Sequence, residues 1–136
     1  MSLVLDSSVT LAWLFSDEGG AAVDEVFAQV VAGKAWVPTL WRLEVANSLT
    51  AALRRQRINA EFRDQSLADL ALLNIVADPD TDSLAWSATL RLADRHRLTL
   101  YDAAYLELAQ RLNLPLATLD QDLRMAAQLQ DVLLLG

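Results

Sequence analysis

The sequence predicts an α/β fold in one domain, a small and mostly parallel twisted β-sheet flanked by helices. Three observations predict it. The short continuous apolar runs Leu3-Val4-Leu5, Ala35-Trp36-Val37 and Leu116–Leu119 read as strands buried on both faces, which is the pattern of parallel sheets. Longer segments with helically spaced apolar residues lie between them, so strand and helix alternate. The 136 residues hold no internal repeat, low-complexity segment or linker, so 1–136 is read as a single domain with its own core.

Each element follows from local chemistry. Leu3–Leu5 ends at Asp6, and Ser7 to Phe15 reads as a helix with Asp6 or Ser7 as N-cap. Gly19-Gly20 breaks it. Ala21 to Val31 is amphipathic, with Val23, Val26, Phe27 and Val30 on one side, and Gly33 ends it. Pro38 stops the strand Ala35–Val37, and Thr39 is placed to cap a helix from Leu40 to Arg55 with Val45, Leu49, Ala52 and Leu53 as its apolar stripe. Asn59 caps the next helix, which carries Phe62, Leu67, Leu70 and Leu73. Asn74–Ala77 reads as a short strand, Asp78-Pro79-Asp80-Thr81-Asp82 as a turn with capping residues, and Leu84 to Arg95 as a helix. Thr99 opens another helix, the strand Leu116–Leu119 follows, then a helix Gln121–Leu129 and a strand Val132–Leu135.

Composition narrows the chemistry. With no cysteine and one histidine, disulfides, thiolate metal sites, a Cys nucleophile and a multi-His zinc site are all excluded. Any metal must be held by oxygens, which points to Mg²⁺ or Mn²⁺. No apolar run reaches the ~18 residues of a membrane span, and no signal-peptide pattern is present, so a cytoplasmic protein is expected. The net charge of −7 opposes broad nucleic-acid binding. The charge is uneven, however: eight of the 11 basic residues lie between Arg54 and Arg111. That distribution reads either as solvated helix faces or as a basic shoulder beside an acidic centre.

Four carboxylates carry the functional argument. Taken singly, each has an ordinary role: Asp6 and Asp120 as N-caps, Asp102 as the acid of a capping box with Thr99, and Glu44 as an anion in a first helical turn. Their joint placement is less ordinary. Asp6 and Asp120 follow apolar runs read as parallel strands, so both emerge at the carboxyl edge, where open α/β sheets bind ligands. Glu44 and Asp102 sit in first turns of helices that start at that edge. Asp102 shares a helix face with Leu106 and Ala109, which turns a carboxylate toward the packed side. Four anions there repel one another unless a divalent cation joins them. The chemistry this allows is metal-assisted hydrolysis. No Ser-His-Asp triad or phosphate-binding glycine loop is present, and His96, in an Arg-His-Arg run, reads as a solvated residue.

At these residues the chain resembles a known family. LVLDSSV at the start, LEVANSL around Glu44, LYDAAYLELA around Asp102 and TLDQDLRMAA around Asp120 resemble the four acidic motifs of the PIN-domain ribonucleases. Their order and the chain length are similar to those of the VapC-type toxins of VapBC toxin–antitoxin modules. The resemblance implies a PIN-like sheet wrapped by helices, and Mg²⁺- or Mn²⁺-dependent endoribonuclease activity on RNA. It also implies a homodimer and inhibition by a cognate antitoxin in a hetero-oligomer. Carried over residue by residue, the catalytic and metal-binding acids are Asp6, Glu44, Asp102 and Asp120. Ser8 falls in the family's Asp-x-Ser pattern and Thr118 in its Thr-x-Asp pattern; both would orient the neighbouring carboxylates. Asp122 reads as a first-turn acid.

Two other functions compete. A haloacid-dehalogenase-type phosphatase shares an Asp after the first strand and Thr10 four residues on. It needs a second Asp where this chain has Ser8, and Lys34 is the only lysine. The other rival is a catalytically weak PIN-like binding module, to which the presence of all four acids gives no support. Trp13, Phe15, Trp36, Trp41, Phe62, Trp86 and Tyr105 read as core or as dimer and antitoxin contact surface.

Overall fold

The computed structural model describes residues 1–15 and 17–136. The described residues form one five-stranded sheet: β1 (Ser2–Leu5), β2 (Lys34–Val37), β3 (Ile75–Ala77), β4 (Leu116–Ala117) and β5 (Leu134–Leu135). The spatial order is β3-β2-β1-β4-β5 and every neighbouring pair is parallel. Strand order reverses between β1 and β4, so the crevice at their carboxyl ends is the place where such a sheet takes a ligand. The register pairs Val4 with Leu116 and Leu5 with Ala117, and Asp6 N–H donates to the Ala117 carbonyl at 3.0 Å. Asp6 is thereby level with Thr118.

Helices α1 (Ser7–Leu14), α2 (Ala21–Ala32), α3 (Trp41–Arg54), α4 (Ala60–Ala71), α5 (Thr81–Leu84), α6 (Ala88–His96), α7 (Leu100–Leu112) and α8 (Gln121–Leu129) surround the sheet. Leu3, Val4 and Leu5 are all buried, as expected for a strand covered on both faces. Helix α7 packs on β1, β4, α6 and α8, and every residue from Ala103 to Leu108 is buried together with Ala109. A helix covered all round in this way fixes the direction of its first turn, where Asp102 lies. Gly33 closes α2 where the chain passes close to Met1, and a Cβ there would collide with the Met1 carbonyl oxygen. No helix among the described residues is long and apolar enough to cross a membrane.

Four expectations need correction. Leu84 to Arg95 is not one helix. Thr81 donates its hydroxyl to Asp78 Oδ2 at 3.0 Å, starting α5 early, and the chain breaks at Ser87 (φ −122°, ψ −98°) before α6 packs against α7. Thr39 caps nothing through its side chain; the N-cap of α3 is Leu40, and Thr39 N–H donates to the Thr81 hydroxyl at 3.3 Å. The strand from Leu116 ends at Ala117 rather than Leu119, because beyond it side chains take the backbone donors. Leu119 N–H donates to Ser8 Oγ at 3.0 Å and Asp120 N–H to Thr118 Oγ1 at 3.1 Å. The last strand begins at Leu134 rather than Val132, whose N–H donates to the Ala127 carbonyl at 2.9 Å instead.

Candidate metal centre

The site begins with Asp6, the first residue beyond β1, which is buried. As the residue before α1 it occupies the N-cap position, yet its side chain makes no capping hydrogen bond. Two hydroxyls converge on one of its oxygens instead: Ser8 donates to Oδ2 at 2.5 Å and Thr118 at 2.7 Å. The register of β1 and β4 explains the second contact, and the first turn of α1 explains the first. Burial nonetheless dominates and raises the Asp6 pKa, against the lowering effect of Ser8, Thr118 and the nearby Ser7 and Ser8 amides. Both residues expected to orient the carboxylate therefore touch it. Arg124 holds the other side of Thr118, donating to its carbonyl at 2.8 Å.

Glu44 enters from the first turn of α3. Its Oε1 accepts the Tyr105 hydroxyl at 2.6 Å. Burial raises its pKa first; the Asp6 charge raises it too, while Tyr105 and Ser7 pull it down. Asp102 enters from the first turn of α7. Thr99 Oγ1 accepts from Asp102 N–H at 3.1 Å, so half of the expected capping box forms. Burial, then the charges of Asp120, Asp6, Glu44 and Asp122 in that order, push the Asp102 pKa up to about 6. Asp120 caps α8 as its ordinary reading requires, its Oδ1 accepting from Leu123 N–H at 2.9 Å.

The other three acids named from sequence thus lie within electrostatic reach of Asp102, and Asp122 joins them. Burial and mutual repulsion act in the same direction, and a bound cation relieves both. The donor set is all oxygen, which suits Mg²⁺ or Mn²⁺. Among the described residues, no three acidic or His side chains stand together closely enough to enclose a metal by themselves. That arrangement fits a cation that keeps most of its water and takes one or two protein carboxylates, the usual habit of Mg²⁺.

Sequence reasoning missed Tyr105 as a site residue and read it as core or contact surface. It is both fully buried and hydrogen-bonded to Glu44. Its spacing of three residues from Asp102 on one helix was the available signal, since i and i+3 share a face. Trp41 also contributes: its indole N–H donates to Thr10 Oγ1 at 3.1 Å, and Thr10 donates to the Asp6 carbonyl at 3.4 Å.

Residues 3–129 match the family described as PIN domain. No curated protein matches the chain. Among solved structures it is similar to PAE2754 from Pyrobaculum aerophilum, with 26% identity and a TM-score of 0.68 over 93% of this chain and 87% of that one. It is also similar to VapC20 from Mycobacterium tuberculosis, described as a Sarcin-Ricin loop cleaving toxin, with 17% identity and a TM-score of 0.64 over 91% of this chain and 94% of that one. A toxin–antitoxin complex from Klebsiella pneumoniae gives 21% identity and a TM-score of 0.59 over 88% of each chain. The last two likenesses are likenesses of fold.

Proposed function

The chain belongs to the PIN-domain family, and from that premise we propose that it is a divalent-metal-dependent endoribonuclease and the toxin of a toxin–antitoxin pair. One observation carries the reading: burial and the charges of Asp120, Asp6 and Glu44 converge on Asp102 at the carboxyl edge of a parallel sheet. A purely structural set of helix caps has no reason to bring these charges together and to bury Asp6.

Asp6, Glu44, Asp102 and Asp120 would hold Mg²⁺ or Mn²⁺, one or two of them directly and the others through the ion's water. When bound, the ion supplies Lewis acidity toward a phosphodiester oxygen and lowers the pKa of a water. The chain's own residues do the rest. Ser8 and Thr118 fix the plane of the Asp6 carboxylate through hydrogen bonds of 2.5 and 2.7 Å. Tyr105 fixes Glu44, and its hydroxyl stays a donor because burial raises its pKa, with the Asp6 and Glu44 charges adding to that. Asp102, whose pKa burial and the charges of its neighbours push up to about 6, is the carboxylate that a bound cation would hold in its charged form.

The toxin reading draws on the fold shared with VapC20 and with the toxin–antitoxin complex. A homodimer and a cognate antitoxin covering the acidic site belong to the same proposal. The test is cleavage of a mixed RNA pool by the wild-type chain with Mn²⁺, with EDTA, and by Asp102→Ala. Cleavage that needs metal and is lost in the variant supports the nuclease. Absence of both cleavage and calorimetric metal binding would sink it and leave a PIN-like binding module.

A further inference from the structure

Nuclease action on RNA, the reading on which this inference rests, meets an electrostatic difficulty. The chain carries a net charge of −7, and the four acids face the phosphodiester they are to act on. Cations of the protein must bring the strand in. Three of the 11 basic residues are engaged in ion pairs. Arg57 is paired with Asp17 and Glu18, Arg63 with Asp64, and Arg111 with Asp78 and Glu107. Among the described residues, Arg42, Arg54, Arg55, Arg91, Arg95 and Arg97 make no ion pair and are exposed, and of these Arg95 and Arg97 stand nearest in the chain to Asp102.

These two arginines line one shallow cleft of about 260 Å³, together with His96 and, across it, Asp122, Met125 and Leu129 of α8. Three features tie the cleft to the acidic centre. Asp122 lines the cleft and its charge reaches Asp102. Arg97 is followed by Leu98 and Thr99, the cap of the helix whose first turn carries Asp102. Arg97 itself is the C-cap of α6 in the left-handed region (φ 55°), where an asparagine or glycine is the usual choice. Beyond Asp122 the opposite wall is apolar and open, Met125 being 65 % exposed and Leu129 74 %. Cations on one side and exposed aliphatic surface on the other match a nucleotide, whose phosphate and base need different neighbours.

His96 braces this wall. Gln110 Nε2 donates to Gln130 Oε1 at 2.9 Å, which fixes the Gln130 amide so that its Nε2 donates to His96 Nε2, also at 2.9 Å. The bond ties the end of α6 to the end of α8. Arg95 also borders a wider cleft, of about 600 Å³, between α6 and α7 that holds Arg91 and Arg111.

We propose that the cleft between the end of α6 and α8, with Arg95 and Arg97 as its cations and Met125 and Leu129 as its apolar wall, binds a nucleotide of single-stranded RNA flanking the scissile phosphodiester. The experiment is fluorescence anisotropy of a labelled, mixed-sequence single-stranded RNA as a function of salt, in EDTA, with the wild-type chain, R95Q/R97Q and R95K/R97K. The dissociation constant is expected to rise about tenfold in R95Q/R97Q. The slope of log affinity against log salt should fall by about 1.4, roughly 0.7 for each phosphate no longer neutralised. R95K/R97K should keep most of the slope. Arg97→Gly removes one cation while relieving the left-handed backbone, so it gives a folded comparison if R95Q/R97Q melts early. In cleavage with Mn²⁺, the loss should fall on KM rather than kcat.

An unchanged affinity and slope in R95Q/R97Q would overturn the cleft while leaving the nuclease untouched. A wild-type chain that neither cleaves RNA nor binds metal, yet binds RNA through these arginines, would overturn the nuclease and leave the cleft. Loss of binding to a polyglutamate peptide with RNA binding intact would assign the surface to a protein partner and overturn the proposal.

Discussion

The Tyr105 hydroxyl donates to Glu44 Oε1 across 2.6 Å, joining α7 to α3 beneath the acidic edge. Tyr105 is fully buried while Glu44 is partly open to solvent. The bond therefore fixes the direction of the carboxylate more than it holds the fold. Tyr105→Phe should lower stability by about 1 kcal/mol, since water can replace the lost donor. Metal affinity should fall on the order of tenfold, the scale of losing a partner that orients a ligand. Calorimetric titration with Mn²⁺ beside a thermal melt checks both. Unchanged affinity would make Tyr105 only a core residue.

Asp6 differs in that its partners are hydroxyls and its surroundings dry. Asp6→Asn should abolish RNA cleavage and leave the chain folded. Without metal it should be at least as stable as wild type, because a buried charge disappears. Thr118→Val removes the 2.7 Å donor at nearly constant shape and should cost about 1–3 kcal/mol. In an Asp6→Asn background that loss should shrink, and a double-mutant cycle on urea midpoints measures the difference. Additive losses would show that Thr118 acts on the fold alone.

The sheet was legible because parallel strands buried on both faces leave continuous apolar runs, as in Leu3–Leu5, and the helices because Asn59 and Thr99 cap them as their chemistry directs. The carboxyl-edge position of Asp6 and Asp120 followed from strand polarity. What was not legible was decided by distant residues. Thr81 is captured by Asp78, itself held by Arg111 from α7, and that contact splits the helix expected at Leu84–Arg95. Ser8 and Thr118 end β4 by taking the N–H groups of Leu119 and Asp120. Tyr105 was hidden because an aromatic on an apolar helix face reads as core until its hydroxyl finds a partner.

Arg111 offers a prediction free of the functional reading. Its guanidinium donates to Asp78 Oδ2 at 2.6 Å and to both Glu107 oxygens at 2.9 and 3.0 Å, and both carboxylates are buried. Arg111→Ala strands two buried anions and should cost about 3–5 kcal/mol, read as a lower urea midpoint at constant slope. The triple variant R111A/D78N/E107Q should recover part of the loss. A loss below about 1 kcal/mol in Arg111→Ala would mean that water already solvates the cluster.

The sign of the pH dependence separates a metal centre from a set of caps. Asp102 has its pKa raised from 3.8 to about 6 in the folded chain, by burial first and then by Asp120, Asp6, Glu44 and Asp122. Between those values the folded state binds more protons than the unfolded one, so stability falls as pH rises through the window and levels off above it. Asp6 and Glu44, also raised, act in the same direction. Asp78 acts in the opposite sense: although burial opposes it, hydrogen bonds from Arg111 lead a net lowering of its pKa. Its contribution is present above 3.8 and is lost as pH falls through its lower folded value, outside the window. Because solvent partly screens Asp102, the loss attributable to it is on the order of 1 kcal/mol. In EDTA, the melting temperature should therefore decline from about pH 4 to about pH 6, and Asp102→Asn should flatten the decline. With millimolar Mn²⁺ the decline should disappear and the melting temperature above pH 6 should rise, since the ion binds the ionised folded chain. Helix caps would give the opposite slope, gaining stability as their carboxylates ionise, and would respond to Mn²⁺ no more than to an equal ionic strength of NaCl.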